Sequence, residues 1–191
     1  DYRIQVGLYS SQESAKERLT VLRWTTRSQY TLDLGSVTVK GRDRTYTVPK
    51  IPRAQPVRFG TGIRLLGYGL IKQDTPGGGA TVHLTLYLQA LATMDRSYTV
   101  FTHLLDSQSR TWAQEDATPL HGAASTTTWL AGEVITDEFV LVTKPGAPPG
   151  EYDLEIGFYD SGSLQRLAVF DDGGSVLGDR VLLLDKVRLG P

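Results

Sequence analysis

The chain has 191 residues, of which 40% are hydrophobic and 21% charged, with 20 basic and 21 acidic residues giving a net charge of −1. That is the composition of a globular chain with material for one domain or one and a half. The absence of a basic tract argues against nucleic acid or an anionic membrane surface as partner. The absence of cysteine excludes disulfides, thiol catalysis and Cys-ligated zinc, and no apolar run reaches the roughly 20 residues of a membrane span.

In chain order, the dominant period is two. Strands are predicted near 2–9, 17–23 and 30–40, then 62–72, 80–90, 97–106, 111–116, 134–143, 151–160, 165–170 and 180–189. The clearest is TVHLTLYLQA, where Val82, Leu84, Leu86 and Leu88 share one face and His83, Thr85, Tyr87 and Gln89 the other. Turn residues separate the runs at Asp74–Gly79, Pro145–Gly150 and Asp171–Gly174. The best helical candidate, Ser11–Leu19, is short and polar. Pro49, Pro52 and Pro56 make 42–57 read as a stiff linker. Residues 117–133 form the longest irregular segment, where function on a sandwich usually sits. The pattern predicts an all-β fold, an antiparallel β-sandwich of Ig-like or jelly-roll-like type.

Part of the chain occurs twice, with an offset of about 150 positions by register of matched residues. Tyr2 matches Tyr152, Gly7 matches Gly157, Tyr9 matches Tyr159, Arg18-Leu19 match Arg166-Leu167, and Leu34 and Val37 fall on Leu184 and Val187. The expected organisation is therefore the C-terminal part of a preceding copy at 1–41, a linker at 42–57, and a complete module at 58–191. Both segments should share one strand order. Three amphipathic strands cannot bury their apolar faces alone. Residues 1–41 must then pack on neighbouring copies of the module, on the complete module, or on another chain as a strand-exchanged homo-oligomer.

The complete copy resembles a module of exported and membrane-anchored bacterial proteins. That module occurs beyond the membrane-spanning part of glycosyltransferase-like proteins of the mannosyltransferase type, and in tandem in uncharacterised surface proteins. The residues that carry the resemblance are Phe59-Gly60, IRLLGYGL at 63–70, LTLYLQAL at 84–91, DRSYTVFTHLLD at 95–106 and AQED at 113–116. With them go Pro119, Thr126–Trp129, Gly132-Glu133, Asp137, PPGEYDLEIGFYD at 148–160 and Arg166-Leu167. The usual Gly-Tyr-Asp-Leu is Gly-Tyr-Gly-Leu here, so any role of that acid is lost at Gly69. The resemblance implies a β-sandwich in an extracytoplasmic setting, with membrane anchoring through other parts of the protein. It implies no reaction and no ligand.

Three residue classes hold the candidate chemistry. No Gly-x-Ser-x-Gly or His-Glu-x-x-His motif is present. His103 shares a strand face with Phe101 and Leu105, read as the core side, so a buried histidine hydrogen-bonded to the 117–133 loop is expected. Asp116, Glu133 and Asp137 flank the long loop; Asp116 and Asp137 suit Asx-type bonds to backbone amides, with calcium at Asp116 or Asp137 as the second reading and paired acid–base carboxylates as the third. Among aromatics, sugar-binding sandwiches present rings for stacking on a pyranose. The ligand-binding candidates are Trp112, Trp129, Tyr87, Gln114 and His121, with Tyr68 behind them. Trp129 has a competing reading as a buried plug whose ring nitrogen bonds a loop carbonyl. Tyr152 reads as a phenol tethering the start of its strand. No cofactor is expected. The leading reading is a non-catalytic extracytoplasmic accessory module that binds carbohydrate. A purely structural spacer is the alternative and a glycoside-processing enzyme the third.

Overall fold

The computed structural model describes residues 2–8, 31–38 and 41–190. The chain divides into two units, Asp1–Asp43 and Arg44–Pro191. The strand expected at 17–23 and the Ser11–Leu19 segment lie outside the described residues.

In the first unit, β1 (Tyr2–Val6) pairs antiparallel with β2 (Leu32–Val37). Its register places Tyr2 opposite Val37, Arg3 opposite Ser36 and Ile4 opposite Gly35, with a slip between Ile4 and Gln5.

The second unit is an antiparallel β-sandwich. Its strands are β3 (Arg53–Phe59), β4 (Ile63–Asp74), β5 (Ala80–Ala90), β6 (Tyr98–Leu105), β7 (Thr111–Ala117), β8 (Val134–Val142), β9 (Gly150–Asp160), β10 (Val169–Phe170), β11 (Val176–Gly178), β12 (Val181–Leu182) and β13 (Val187–Leu189). One sheet has the order β11-β10-β3-β4-β5-β8; the other has the order β12-β9-β6-β7, with β13 also on β9. The strict alternation of β5 is realised: Ala80, Val82, Leu84, Leu86, Leu88 and Ala90 are all buried, and the intervening residues are half-exposed. From the facing sheet, Tyr152, Leu154, Ile156 and Phe158 of β9 enter the same core, where the Phe158 and Phe59 rings lie 4.9 Å apart. Alternating apolar residues on two sheets that close on one another supply most of the driving force of such a domain.

The proline-containing stretch does not remain a linker throughout. Arg53–Phe59 is a full strand of the sandwich. Pro56 fits because it falls where the β3–β4 register slips between Ala54 and Val57. In addition, β10 covers only Arg58 and Phe59, so the upstream part of β3 has one neighbour and needs no second row of donors. Upstream, Thr45 bridges Val134. Val176–Gly178 is a further strand that periodicity missed, because three residues are too few to show alternation.

The long segment between β7 and β8 contains two one-turn 3₁₀ helices, Pro119–Gly122 and Thr126–Thr128. Leu120 and His121 adopt left-handed conformations there, with φ of 51° and 49°. Several bonds hold the segment, among them the following. The Leu120 amide donates to Asp137 Oδ1 at 3.0 Å, Thr126 Oγ1 donates to the Arg96 carbonyl at 2.7 Å, and the Trp129 indole nitrogen donates to the Ala124 carbonyl at 2.8 Å. Tyr152 donates its phenolic hydrogen to the Pro148 carbonyl at 2.6 Å, the tether its position suggested.

Candidate ligand-binding cleft

The outer face of the β12-β9-β6-β7 sheet carries a cluster of chemistry, and the strand registers explain why. In β6, Phe101 stands opposite Gly157 of β9 and Asp116 of β7; His103 stands opposite Glu155 and Gln114. Residues directly opposite in an antiparallel pair share a face. The apolar phase of β9 faces the core, so Glu155, Gly157 and Tyr159 face outward and bring Phe101 and His103 with them. This reverses the expected orientation of His103. Both phases of Tyr98–Leu105 are apolar, so periodicity alone could not choose; the inward phase is Val100 and Leu104. The partner of His103 is also not the 117–133 loop. Its Nδ1 lies 3.3 Å from Glu155 Oε1 and its Nε2 lies 3.5 Å from Asp116 Oδ1.

Gly157 is the base of the cluster. A Cβ there would fall 2.3 Å from the Phe101 ring, so the ring can lie across the β9 backbone only because the residue is glycine. Above the ring, the Arg166 guanidinium sits 4.3 Å from its centroid, a cation–π contact of about 0.5–2 kcal/mol. The Tyr159 ring stacks beside it at 6.4 Å.

Arg166 reaches this place because the turn after β9 is pinned by Asp160. Its Oδ1 accepts the amides of Gly162 and Ser163 at 2.9 and 2.8 Å, and its Oδ2 receives Arg96 at 3.0 Å. The Ser163 amide first and Arg96 second draw the Asp160 pKa down to about 2, against the opposing effect of burial. Arg166 then bridges back to Tyr159.

Glu155 is buried, yet it is surrounded by compensating charge. Arg180 Nε lies 3.4 Å from its Oε2, and Arg166 Nη1 lies 3.7 Å from its Oε1. Paired in this way, a buried carboxylate is tolerated. The result is a cleft of about 130 Å³ lined by Phe101, His103, Asp116, Tyr159, Leu164 and Arg166. Phe101 lies at its base with both ring faces covered, by Gly157 and Arg166, so Tyr159 supplies the partly exposed ring, and the rim carries one guanidinium, one imidazole and one carboxylate. Such a lining combines a surface for an apolar ring face with both donors and acceptors for hydroxyls.

The residues singled out from sequence scatter. Gln114 is exposed on the same face, directly opposite His103, and Asp116 lines the cleft. Trp112 is half-buried; its indole nitrogen donates to Asp106 Oδ2 at 2.8 Å and the Arg110 guanidinium lies 5.9 Å from its ring centroid. Burial acts to raise the Asp106 pKa, but the bonds from Trp112, Arg110 and Gln108 prevail and hold it well below the usual carboxylate range. Trp129 is buried in the core and offers no open ring face, so it is corrected from ligand candidate to structural plug. Tyr68 is likewise buried, with its phenol bonded to Asp185 Oδ2 and burial raising its pKa. Tyr87 is half-exposed on the outer face of the opposite sheet. His121 is exposed; its Nε2 lies 3.2 Å from the Glu138 carbonyl and its Nδ1 lies 3.8 Å from Glu115.

The three loop-flanking acids are held by different partners: Asp116 by His103, Glu133 by Arg44 at 2.5 Å, and Asp137 by the Leu120 amide. Among the described residues, no group of three or more His, Asp or Glu side chains is arranged to hold a metal ion. Phe101, Glu155, Tyr159, Arg166 and Arg180 belong to the site although no local sequence pattern marks them as site residues. One signal was present: Gly157, Tyr159 and Arg166 are all positions that the two copies share.

No protein-family model matches the chain, and no curated protein matches it. Among solved structures, the C-terminal domain of Wzt is similar at a TM-score of 0.44 and 10% identity, over 71% of this chain and 86% of that one. A β-glucuronidase from glycoside hydrolase family 2 is similar at a TM-score of 0.41 and 11% identity, over 59% of this chain. The match spans 13% of the β-glucuronidase.

Proposed function

We propose that the second unit is a non-catalytic accessory module that binds carbohydrate in the outer-sheet cleft, within a protein that works outside the cytoplasm. The observation that carries the reading is the cleft itself: the partly exposed Tyr159 ring, with His103, Asp116 and Arg166 around it. A pyranose presents one C–H-rich face and a girdle of hydroxyls, and this lining complements both. The cleft is open and shallow, which suits an end or a side of a glycan chain and not a buried small molecule. The extracytoplasmic setting rests on the sequence resemblance. Among the described residues no helix is long and apolar enough to cross a membrane.

The test is a glycan-array screen of the 191-residue chain, followed by calorimetric titration of each hit. Tyr159→Ala and Asp116→Ala are expected to weaken a hit at least about tenfold, the loss of one stacking or charged hydrogen-bond contact. Tyr87→Ala, on the other sheet, is expected to leave it unchanged. A hit insensitive to both cleft variants, or no hit at all, overturns the reading. The structural-spacer alternative is favoured by one observation: Glu155, Arg166, Arg180 and His103 already engage one another. Under that reading the cleft variants change stability and no glycan binds.

A further inference from the structure

The β1–β2 pair of the first unit and the β9–β13 pair of the second share one aligned residue pair. Tyr2 stands opposite Val37, and its counterpart Tyr152 stands opposite Val187. That pair is matched in sequence and in pairing; further along, Val6 pairs with Leu32 while its counterpart Ile156 pairs with Val181 of β12. A chance hairpin would have no reason to set these two matched residues opposite one another.

The two pairs differ in what covers them. Tyr2, Ile4 and Val6 are 67%, 44% and 46% exposed. Their counterparts Tyr152, Leu154 and Ile156 are 1%, 0% and 0% exposed. Val37 and Val187 differ in the same direction. In the second unit these side chains are covered by the six-stranded sheet, and the other edge of β9 is paired by β6. In the first unit, β1 and β2 form a sheet of two strands among the described residues.

A second set of residues points to the same missing half. Gly157 is glycine because the Phe101 ring of β6 lies across it, and Arg166 stacks on that ring. The first copy keeps both residue types, as Gly7 and Arg18. The two residue types that receive the Phe101 ring in the second unit thus recur in the sequence of the first copy.

We infer that the apolar face of β1–β2 is a docking surface for one kind of partner: the half of a module of this fold that corresponds to β3 through β8. That half supplies an apolar sheet to cover Tyr2, Ile4, Val6 and Val37. It also supplies a β6-type strand along the edge of β1 that has no partner strand among the described residues, with an aromatic residue set over Gly7. The first unit is thus the closing part of a sandwich whose other part lies in another module. Alternating exposed apolar residues on a two-stranded sheet are unstable in water, and completion of the sandwich removes them from it.

The test places residues 44–150 directly ahead of Asp1 in the intact 191-residue chain, so that Tyr2 takes the position that Tyr152 has after Gly150. The native second unit remains in the same molecule as an internal reference. The expected result is a second cooperative unfolding transition, with amide exchange across 2–6 and 32–37 slowed at least about tenfold relative to the unextended chain. Tyr2→Asp with Val6→Asp in the extended chain should remove the second transition and leave the reference transition in place. Unchanged exchange across 2–6, with the reference module folded, overturns the inference. So does concentration-dependent dimerisation of the unextended chain that protects 2–6, because the occupant is then a second copy of this chain.

Discussion

The imidazole Nδ1 of His103 stands 3.3 Å from the carboxylate of Glu155, across the β6–β9 pair and on the sheet face turned away from the core. Glu155 is buried, while its two arginine partners are partly exposed. The imidazole is thus one of three groups that offset the cost of burying this charge.

His103→Leu removes one of those groups. The fold should persist, because Arg166 and Arg180 remain, but stability should fall by about 1–3 kcal/mol as Glu155 loses a hydrogen-bond partner. His103→Asp sets a third carboxylate beside Glu155 and Asp116 and should cost distinctly more than the leucine variant. Urea denaturation of the three proteins measures both differences. Equal stability of the leucine variant and the parent would show that the His103–Glu155 contact contributes nothing to the fold.

Gly157 and Phe101 make a second prediction. Gly157→Ala puts a methyl 2.3 Å from the Phe101 ring, with the ring held by Arg166 on its other side. Overpacking of this kind costs about 1–3 kcal/mol. Phe101→Ala removes a buried ring, at about 3–5 kcal/mol. The double variant should lose less than the sum, because the methyl then occupies space the ring has left. A double-mutant cycle by denaturation that comes out additive would place the ring elsewhere.

Much of the fold was legible because β5 and β9 alternate without ambiguity. Val82 to Leu88 and Tyr152 to Phe158 can face only the core, and Gly/Pro turns bound each run. The site was less legible for a reason that lies in β6. Both phases of Tyr98–Leu105 are apolar, and the outward phase is apolar because Phe101 is roofed by Arg166 and not by the other sheet. Local pattern cannot separate a ring buried in the core from one buried under a single side chain. Pairing can: once His103 is set opposite Glu155, the two share a face, and the polar phase of EYDLEIGFYD fixes which face it is. Pro56 misled in the opposite sense, since a bulge on a strand with one neighbour needs no donor at that position.

Tyr152 carries a third prediction. Its hydroxyl donates to the Pro148 carbonyl at 2.6 Å at the start of β9, and the ring is buried. Tyr152→Phe keeps the ring and deletes the bond, leaving a carbonyl that water can reach at the chain's turn. The expected loss is about 1 kcal/mol, the usual net value of one such bond, and it should leave the core unchanged. Thermal unfolding of the variant measures it. A melting point identical to the parent's would make the hydroxyl dispensable to the turn.

Asp137 makes the pH dependence of the fold predictable. It projects inward from β8 in line with Ile135, Phe139 and Leu141. Its Oδ1 accepts the Leu120 amide, and its Oδ2 is buried without a hydrogen-bond partner. Burial is the dominant cause that raises its pKa from 3.8 to about 6; the Leu120 amide and His121 oppose the rise, and Glu115 adds to it. The folded state therefore holds this proton more tightly than the unfolded state. Its contribution to stability is full below about pH 4, falls as the pH rises from about 4 to about 6, and is flat above that; the span corresponds to about 3 kcal/mol. Asp137→Asn keeps a carbonyl oxygen for the Leu120 amide and cannot ionise. Relative to the parent, the variant should gain about 1–3 kcal/mol near pH 8, less than the full span because burying its amide hydrogens carries a desolvation cost. That gain should shrink steadily toward pH 4. Urea denaturation of both proteins at matched pH values isolates the effect, since every other titrating group is common to the two. A difference between them that does not change with pH would mean that Asp137 stays ionised, or stays protonated, across the range.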